Sequence, residues 1–355
     1  MIPIVALCAV LAAGPAADEP VWTNASTLTI EGRGPISATE PFVRFPETLR
    51  ATMPRSVAGL SVHSAGLAIR FRTAASEIHV RWSLTSPSLD MPHMPATGVS
   101  GLDLYRREPG RGWRYIGTGR PSRQQDNTAA FSVGPGGARE YRLYLPLYNG
   151  VSSLEIGAAA GAALEPVAPT PPEGRIVYYG TSIAQGGCAS RPGMAHPTIL
   201  GRMLEREVVN LGFSGSGRMD PEVAAAIADL PAAAYVIDCL WNMTDAEVTA
   251  RLQPLVQALR KAHPKTPIVF VGQSHYVPEA HPTSISRTQA EAVRALRQEG
   301  VPGLYLIDGA DLLGDDGEGT VDGCHPTDLG MMRHATALAP RLRAILDGKG
   351  GGMVQ

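Results

Sequence analysis

The sequence has few cysteines, few charged residues and no long apolar run, and each shortage excludes a class of protein. Four cysteines among 355 residues do not make a disulfide scaffold, and they lack the close Cys or His pairs of a zinc site. Charged residues make up 18%, with 31 Lys and Arg against 33 Asp and Glu, and no block carries one sign. We therefore expect neither nucleic acid nor an anionic membrane surface as partner. Nothing indicates a metal or another cofactor.

The longest apolar run, from Met1 to Ala13, is too short to span a bilayer. It suits the core of a secretory signal, with small residues near Ala17 for cleavage, although no Lys or Arg precedes it. The alternative is an apolar N-terminus without a targeting role. We expect residues 1–17 to be a signal peptide and the mature chain to be secreted or periplasmic, without membrane insertion. Its oligomeric state is left open.

Loss of that segment would remove Cys8. The mature chain would keep three cysteines, Cys188, Cys239 and Cys324. The sequence does not say whether any two of them are bonded.

Apolar residues make up 44% of the chain, which is enough for two domains with separate cores. Residues 20–165 alternate apolar and polar side chains, the pattern of strands with one buried face. This pattern predicts an all-β, jelly-roll-like sandwich. The clearest strands are Leu67–Arg72, Glu77–Trp82, Leu102–Tyr105, Trp113–Ile116, Glu140–Leu145 and Ser153–Ile156.

An Ala-, Gly- and Pro-rich stretch over 157–174 marks the domain boundary, and we place the linker at 166–174. Strands and helices alternate over 175–348, which predicts a parallel, flavodoxin-like sheet covered by helices on both faces. The predicted strands are 175–179, 208–211, 234–239, 267–272 and 304–308. The predicted helices are 197–206, 221–229, 245–262, 284–299 and 327–346. In the last helix, Leu329, Met332, Ala335, Ala339 and Leu342 recur at helical spacing.

Chemically capable residues follow the predicted strands, at the edge where ligands bind in such folds. They form four blocks: Thr181-Ser182, Asn210–Gly217, Asp238–Met243 and Asp322–Pro326. Taken singly, each has an ordinary explanation: Ser182 and Gly215 as turn residues, Asn242 and Asp322 as helix caps, and His325 as a hydrogen-bonded surface histidine. Their occurrence in this order on one edge favours a catalytic site.

The four blocks resemble those of the SGNH (GDSL-like) hydrolase family. The serine block is Gly180-Thr-Ser-Ile183, with threonine where many members have aspartate, and the asparagine block is Trp241-Asn242, where many have Gly-Asn. The sequence Gly101-Leu-Asp-Leu-Tyr105 resembles the signature of the branch with an N-terminal GxDLY β domain. Together the two resemblances cover nearly all of the mature chain.

The resemblance implies a serine esterase. Ser182 would attack the ester carbonyl, His325 would take and return the proton, and Asp322 would orient His325. The backbone N–H groups of Ser182 and Gly215 and the amide of Asn242 would form the oxyanion hole. Activity should fall in acid as His325 is protonated.

Four residues are candidates for contact with the substrate. Arg191, Gln273 and Tyr276 follow strand ends, and Trp241 could narrow the pocket or form a stacking wall. Two of them have an alternative: Arg191 as a loop residue paired with a carboxylate, and Trp241 as a packing residue under the last helix. The GxDLY segment either fixes the sandwich or delivers Asp103 or Tyr105 to the cleft between the domains.

No apolar lid or amphipathic flap is visible in the sequence, so a small acyl group on a polar alcohol fits better than a lipid interface. By analogy with exported SGNH enzymes, we expect an esterase of small, O-acetyl esters on carbohydrate, acting on a small-molecule or glycan substrate. The alternatives are an acyl hydrolase of lipid or aryl esters, and a glycan-binding protein whose hydrolase domain is not catalytic.

Overall fold

The computed structural model describes residues 19–34, 37, 39–274 and 282–349, so the predicted signal peptide lies outside the described residues. The described chain begins with short antiparallel strands, as the alternation predicted. They are β1 (Val21–Asn24), β2 (Thr29–Glu31), β3 (Ala68–Thr73), β4 (Glu77–Leu84), β5 (Leu102–Glu108), β6 (Gly112–Gly119), β7 (Asn127–Ser132), β8 (Arg139–Tyr144), β9 (Val151–Ala158) and β10 (Glu165–Pro166).

These strands form two sheets that pack as a sandwich. One has the order β1-β9-β4-β7, and the other has the order β10-β3-β8-β5-β6 with β2 also paired to β3. The alternation explains which side chains lie between the sheets: Ile69 and Phe71 of β3 are buried, while Arg72 is exposed. Trp82 of β4 is the largest fully buried side chain of this core. The predicted all-β sandwich is confirmed.

The C-terminal domain is a parallel sheet with the strand order β12-β11-β13-β14-β15. Its strands are β11 (Ile176–Gly180), β12 (Val208–Gly212), β13 (Ala234–Asp238), β14 (Ile268–Val271) and β15 (Leu304–Ile307). Every residue of β11, β12, β13 and β14 is buried, because helices cover both faces of the sheet. This order is flavodoxin-like, as the sequence predicted.

Nine α-helices lie in the described parts of the chain. They are α1 (Glu47–Arg50), α2 (Arg55–Leu60), α3 (Ala96–Val99), α4 (Ser182–Gln185), α5 (His196–Leu204), α6 (Pro221–Ala228), α7 (Asp245–Ala262), α8 (Ser284–Gln298) and α9 (Asp328–Leu346). Helices α6, α7 and α8 pack on one face of the parallel sheet, and α5 and α9 pack on the other. Across the described residues, no helix combines the length and the apolar character needed to cross a membrane.

The face of α9 that is buried differs from the predicted one. Leu329 and Met332, which the helical spacing placed with the core residues, are 46% and 38% exposed. Met331 and His334 are buried instead, because the first turns of α9 pack against α5 and its preceding loop. The predicted positions Ala335, Ala339 and Leu342 are buried.

The segment between β2 and β3 belongs to the core of the other domain. Phe45, Met53 and Val57, in and around α1 and α2, join the apolar cluster beneath α6 and α7. The rings of Phe45 and Phe213 lie 5.7 Å apart. Alternation over 20–165 did not predict this packing, because helices of four and six residues have no strong sequence pattern and are stable only through packing contacts. The two domains therefore share a continuous interface.

Strand pairing continues into the segment 166–174 that the sequence analysis assigned to the linker. Pro166, placed in the linker by its composition, pairs with Phe71 of β3 and so extends the sandwich by one residue. A short 3₁₀ turn, Pro172–Gly174, then leads into β11.

Candidate active site

Ser182 lies at the carboxyl end of β11, where the sheet meets a short helix. Thr181 caps this helix, since its hydroxyl accepts the N–H of Ile183 at 3.3 Å. Helix α4 has four residues, and its C-cap is Gly186, whose φ of +117° favours glycine. Ser182 is thus fixed on a short turn, with its side chain almost fully buried.

A chain of hydrogen bonds joins Ser182 to His325 and Asp322. The Oγ of Ser182 lies 2.8 Å from Nε2 of His325, and Nδ1 of His325 lies 2.8 Å from Oδ2 of Asp322. Oδ1 of Asp322 accepts the backbone N–H of His325 at 2.7 Å. Since the carboxylate is an acceptor, we assign the ring proton to Nδ1, which leaves Nε2 to accept from the Ser182 hydroxyl.

The charge of Asp322 follows from its surroundings. Burial raises the pKa of this carboxyl, but the backbone N–H groups of His325 and Cys324 and the His325 ring lower it to about 2. Asp322 is therefore ionised at neutral pH. It can stabilise the positive charge that forms on His325 when the imidazole takes the Ser182 proton.

The three groups that the sequence analysis proposed as oxyanion donors are free to donate. The backbone N–H groups of Ser182 and Gly215 donate to no acceptor among the described residues, and Gly215 has the φ of +66° that glycine tolerates. We assign the Asn242 amide from its hydrogen bonds, with the oxygen accepting the N–H groups of Ser216 (3.0 Å) and Gly217 (3.1 Å). This orientation leaves its NH₂ group as a donor.

The ordinary explanations for Asn242 and Asp322 do not hold. Thr244 is the N-cap of α7, and Thr327 is the N-cap of α9, each with its side chain accepting a backbone N–H. Neither Asn242 nor Asp322 caps the helix that follows it. Their positions need another explanation.

Comparison with known proteins identifies the family. Residues 173–343 match the model of the GDSL-like Lipase/Acylhydrolase family, and residues 20–164 match the GxDLY model, described as the N-terminus of Esterase_SGNH_hydro-type. A protein of Bacteroides ovatus ATCC 8483 assigned as a GDSL-like lipase is 36% identical, with a TM-score of 0.84 over 93% of this chain and 98% of that chain. The chain belongs to the GDSL-like lipase/acylhydrolase family. It is accordingly an ester hydrolase.

Two other solved structures share the fold of this GDSL-like esterase at lower identity. The salicylyl-acyltransferase SsfX3 from a tetracycline biosynthetic pathway is 22% identical, with a TM-score of 0.76 over 95% of this chain and 99% of that chain. A family two carbohydrate esterase from Cellvibrio japonicus is 14% identical, with a TM-score of 0.60 over 93% of this chain and 98% of that chain. No curated protein matches the sequence.

Gln185 supports the site of this esterase, and the sequence analysis did not predict it. This fully buried side chain accepts the N–H of Ser214 at 3.0 Å and donates to the carbonyl of Leu147 at 3.0 Å. It lies in the same short helix as Ser182. One amide therefore joins the serine helix, the loop that carries Gly215 and the β domain.

Arg44 is a second supporting residue that was missed. It is fully buried, donates to the carbonyl oxygens of Gly212 and Leu60, and lies 4.6 Å from the centre of the Phe213 ring. Burial lowers the pKa of Arg44 to about 9. An arginine inside the apolar run 42–45 is the signal that could have marked it, since a buried guanidinium needs specific acceptors.

The four residues that the sequence analysis proposed for contact with the substrate do not form one cluster among the described residues. Arg191 is paired with Asp103 at 2.8 Å, which is the alternative that the sequence left open. Trp241 donates from Nε1 to the Ser274 hydroxyl at 2.9 Å. Gln273 lines a groove described below, and Tyr276 lies outside the described residues.

A polar groove lies between the start of α7 and the start of α8, and its first lining residue, Met243, follows Asn242 in the sequence. It is lined by Gln273 together with Met243, Thr244, Asp245, Thr283, Ser284, Ile285 and Arg287. Most of these side chains carry hydrogen-bonding groups. The groove can therefore accept a hydroxyl-rich ligand between Thr244 and Gln273.

The β domain also reaches His325. The ring centres of His93 and His325 lie 6.1 Å apart, and His93 is exposed. His93 lies in the segment between β4 and β5, within a short turn closed by hydrogen bonds between Met91 and Met94. This turn forms a wall of the site that the sequence did not predict.

One buried cluster has the residue types of a metal site. Ligand atoms of His196, Asp238 and His334 all lie within 4.8 Å of one another. The two imidazole rings are parallel, with an interplanar angle of 1° and centres 4.1 Å apart. Lone pairs of parallel rings lie in parallel planes, so they do not converge on one ion at the Zn–N distance of about 2 Å. This arrangement does not fit a metal ion.

The three cysteines predicted for the mature chain are unbonded in the structure. Burial, together with the charge of Asp322, raises the pKa of Cys188 and of Cys324 to about 11. Both thiols are therefore protonated at neutral pH and are poor nucleophiles. Ser182 has no competing thiolate in its surroundings among the described residues.

Proposed function

We propose that this GDSL-like esterase removes small acyl groups, chiefly O-acetyl groups, from carbohydrate through an acyl-enzyme formed on Ser182. The observation that carries the proposal is the hydrogen-bonded series Ser182–His325–Asp322, with 2.8 Å at each step. A serine hydroxyl becomes a useful nucleophile when a neutral base accepts its proton. The geometry supplies that base and its orienting carboxylate.

The proposed reaction has two halves. Oγ of Ser182 attacks the ester carbonyl while Nε2 of His325 takes its proton, and the intermediate collapses as His325 returns this proton to the leaving alcohol. Water then attacks the acyl-serine while His325 takes one of its protons. The bond between the acyl carbon and Oγ breaks as His325 returns this proton to Oγ, which releases the acid and restores the serine. Asp322 stays ionised throughout.

The oxyanion of each intermediate would lie among the donors described above. The N–H groups of Ser182 and Gly215 and the NH₂ of Asn242 are the three donors, and each is worth roughly a hundred- to a thousandfold in rate at such sites. Gln185 fixes the positions of the Ser182 and Gly215 N–H groups relative to each other, since it accepts the N–H of Ser214, the residue before Gly215.

The preference for a sugar ester is supported by the polar groove between the start of α7 and the start of α8. A fatty acyl chain or lipid interface would need an apolar surface, whereas this groove offers hydroxyl, amide and charged groups. The fold is also that of a carbohydrate esterase, which supports the proposal by analogy alone. We therefore place a sugar alcohol beside His325, which returns the proton to it, and a small acyl group at Ser182.

The direct test measures acetate released from p-nitrophenyl acetate and from a panel of acetylated oligosaccharides. Ser182→Ala should abolish release, while Ser152→Ala, an exposed serine of the sandwich, should not change it. Equal rates for wild type and Ser182→Ala would overturn the proposal. Strong glycan binding without acetate release would instead favour a glycan-binding protein with an inactive hydrolase domain.

A series of acyl chain lengths separates the sugar esterase from a lipid or aryl ester hydrolase. We expect kcat/KM to fall from acetyl to butyryl to longer esters of the same alcohol. A rise with chain length would favour the lipid or aryl alternative. Chelators should leave the rate unchanged in both cases.

We also propose that the protein is exported, on the basis of the apolar run that begins the sequence. Expression of the full chain in a bacterial host should yield a secreted or periplasmic product that starts near residue 18. Recovery of cytoplasmic protein with Met1 intact would contradict export.

A further inference from the structure

Asp103, the acidic residue of the GxDLY sequence, is fully buried on the side of β5 that faces the C-terminal domain. Its Oδ2 accepts Nη1 of Arg191 at 2.8 Å and the backbone N–H of Gly193 at 2.8 Å, while Oδ1 accepts the Thr118 hydroxyl at 2.7 Å. Nη1 of Arg191 also donates to the Tyr105 hydroxyl at 2.7 Å. The carboxylate thus makes two of its three hydrogen bonds to the other domain.

The pairing continues into aromatic contacts. The guanidinium of Arg191 lies 4.0 Å from the centre of the Tyr115 ring, and that of Arg202 lies 4.3 Å from the centre of the Tyr105 ring. Nη2 of Arg202 donates to the Gly193 carbonyl at 2.6 Å. A buried ion pair contributes little to stability by itself, because desolvation offsets its attraction, so such a network needs another explanation.

Arg191 and Gly193 belong to the loop 188–195, which follows the helix of Ser182. The other side of this loop contacts the turn that carries His325. The N–H of Cys188 donates to the carbonyl of Pro326 at 3.3 Å, and the N–H of Ser190 donates to Oδ1 of Asp328 at 2.9 Å. The loop 188–195 is therefore a layer between strand β5 and the His325 turn.

This layer has no room to shift. A Cβ on Gly193 would lie 2.5 Å from the Tyr105 ring, and a Cβ on Gly98 would lie 2.3 Å from the carbonyl oxygen of Ala189. The Thr97 hydroxyl donates to the carbonyl of Ser190 at 2.7 Å. Movement of Arg191 away from Asp103 would consequently move the backbone that supports His325.

We propose that the Asp103–Arg191 pair positions His325 for proton transfer, with the loop 188–195 as the connection. The inference rests on the proposed function, in which His325 is the base of Ser182. Neither residue of the pair touches the reacting atoms, so both are positioning residues. Arg191 then serves the catalytic geometry instead of binding substrate, and the GxDLY sequence has a role in the reaction.

The experiment compares Asp103→Asn, Arg191→Gln and the double variant in the full-length protein, using p-nitrophenyl acetate at 25 °C. We expect each single variant to lower kcat about ten- to a hundredfold with KM within twofold, since misplacement of about 1 Å has such effects. The double variant should be no slower than the slower single variant, because both changes break one connection. Arg191→Lys should recover part of the loss.

The matched control is Arg107→Gln. Arg107 also lies in β5 and pairs across the domain interface, with Glu205 at 3.3 Å, but this pair is exposed and does not contact the loop 188–195. We expect its kcat to equal that of wild type. The Ser190 hydroxyl also donates to Oδ2 of Asp328, on the other side of the loop. Ser190→Ala removes this bond and keeps the backbone N–H bond to Oδ1, so it should lower kcat even if Asp103→Asn fails to fold.

The results that would overturn the inference are distinct. A raised KM with unchanged kcat in Arg191→Gln would make this arginine a substrate contact. A lower Tm with unchanged kcat in Asp103→Asn, or an unchanged kcat in Ser190→Ala, would leave the pair a purely structural one. Ser182→Ala is measured alongside. If this variant retains full activity, the proposed function fails. If it is inactive while the kcat of Asp103→Asn is unchanged, only the positioning role is rejected.

Discussion

Gln185 accepts the backbone N–H of Ser214 at 3.0 Å, so the helix of the serine and the loop of Gly215 share one buried side chain. The same amide donates to Leu147 of the β domain. The distance between two proposed oxyanion donors is therefore set by a residue that does not touch the substrate.

Gln185→Met tests this support. The change keeps the volume but leaves the Ser214 N–H and the Leu147 carbonyl without their partner, which should lower stability by about 1–3 kcal/mol. We expect kcat to fall tenfold or more because the Gly215 N–H is no longer fixed. Gln289→Met is the matched control: this buried glutamine donates to Val271 in another part of the fold, so its loss should reduce Tm but not kcat. Equal kcat values for the two variants would reject the role of Gln185.

The second prediction concerns Asn242. Removal of its amide in Asn242→Ala should lower kcat by about a hundred- to a thousandfold with little change in KM, since an oxyanion donor acts mainly in the transition state. Stability should change little through helix capping, because Thr244 caps α7. A kcat within threefold of wild type, measured with p-nitrophenyl acetate, would remove Asn242 from the oxyanion hole.

The third prediction concerns the effect of low pH on stability and on kcat/KM. The pKa of Asp322 is lowered to about 2, so the stability that its ionised form contributes is present above its ordinary value of 3.8 and is lost as pH falls towards 2. Between pH 4 and 8 the charge of Asp322 is constant, so protonation of this carboxyl should not contribute to a decline in kcat/KM over that range. A flat profile down to pH 4 would contradict the role of His325 as a base.

Asp322→Asn should lower kcat by several orders of magnitude, because an amide neither fixes the ring tautomer nor stabilises the imidazolium. Asp316→Asn is the control, since Asp316 is an exposed aspartate paired with Arg333 at 2.7 Å and lies away from His325. Similar rates for the two variants would show that Asp322 is dispensable.

The fourth prediction concerns the alcohol side of the substrate. Because His325 would return its proton to the leaving oxygen, the alcohol must lie beside this ring, and His93 of the β domain is 6.1 Å from it. His93→Ala should lower kcat/KM for an acetylated sugar more than for methyl acetate. The control is His79→Ala, a histidine within β4, which should leave kcat/KM unchanged for both substrates. Equal effects of His93→Ala on both esters would exclude a contact with the alcohol.

The sequence predicted the parallel sheet well because its strands are short apolar runs buried on both faces. The predicted helix 245–262 coincides with α7, and β13 ends one residue earlier than predicted. The buried face predicted for the first turns of α9 was wrong, since the polar residue His334 occupies a buried position there. Periodicity of apolar residues cannot reveal a buried histidine.

The site could be predicted where its residues follow strand ends, because parallel strands bring their carboxyl ends to one edge. Ser182, His325 and Asp322 are joined by hydrogen bonds as that rule implies. Supporting residues could not be predicted in the same way. Asp103 and Arg191 are 88 positions apart, and no local pattern pairs a carboxylate with one arginine among many.

The last prediction concerns Glu207, which lies between the domains and accepts the N–H of Gly32 at 2.8 Å. Burial raises the pKa of this carboxyl from 4.5 to about 7, although the Gly32 N–H and Arg175 oppose the shift. The folded protein therefore holds a proton between pH 4.5 and 7 that the unfolded chain releases. The contribution of Glu207 to the free energy of unfolding is greatest below pH 4.5 and declines as pH rises to 7, by about 3 kcal/mol at most.

Glu207→Gln is neutral at every pH and lacks this dependence. The Tm of the variant minus that of wild type should therefore increase by several degrees between pH 4.5 and pH 8, as measured by thermal unfolding. Glu299→Gln, an exposed glutamate after α8, should show no such trend. A constant difference for Glu207→Gln across this range would mean that Glu207 is already ionised in the folded protein. In that case Arg175, 3.9 Å away, would be the partner that outweighs its burial.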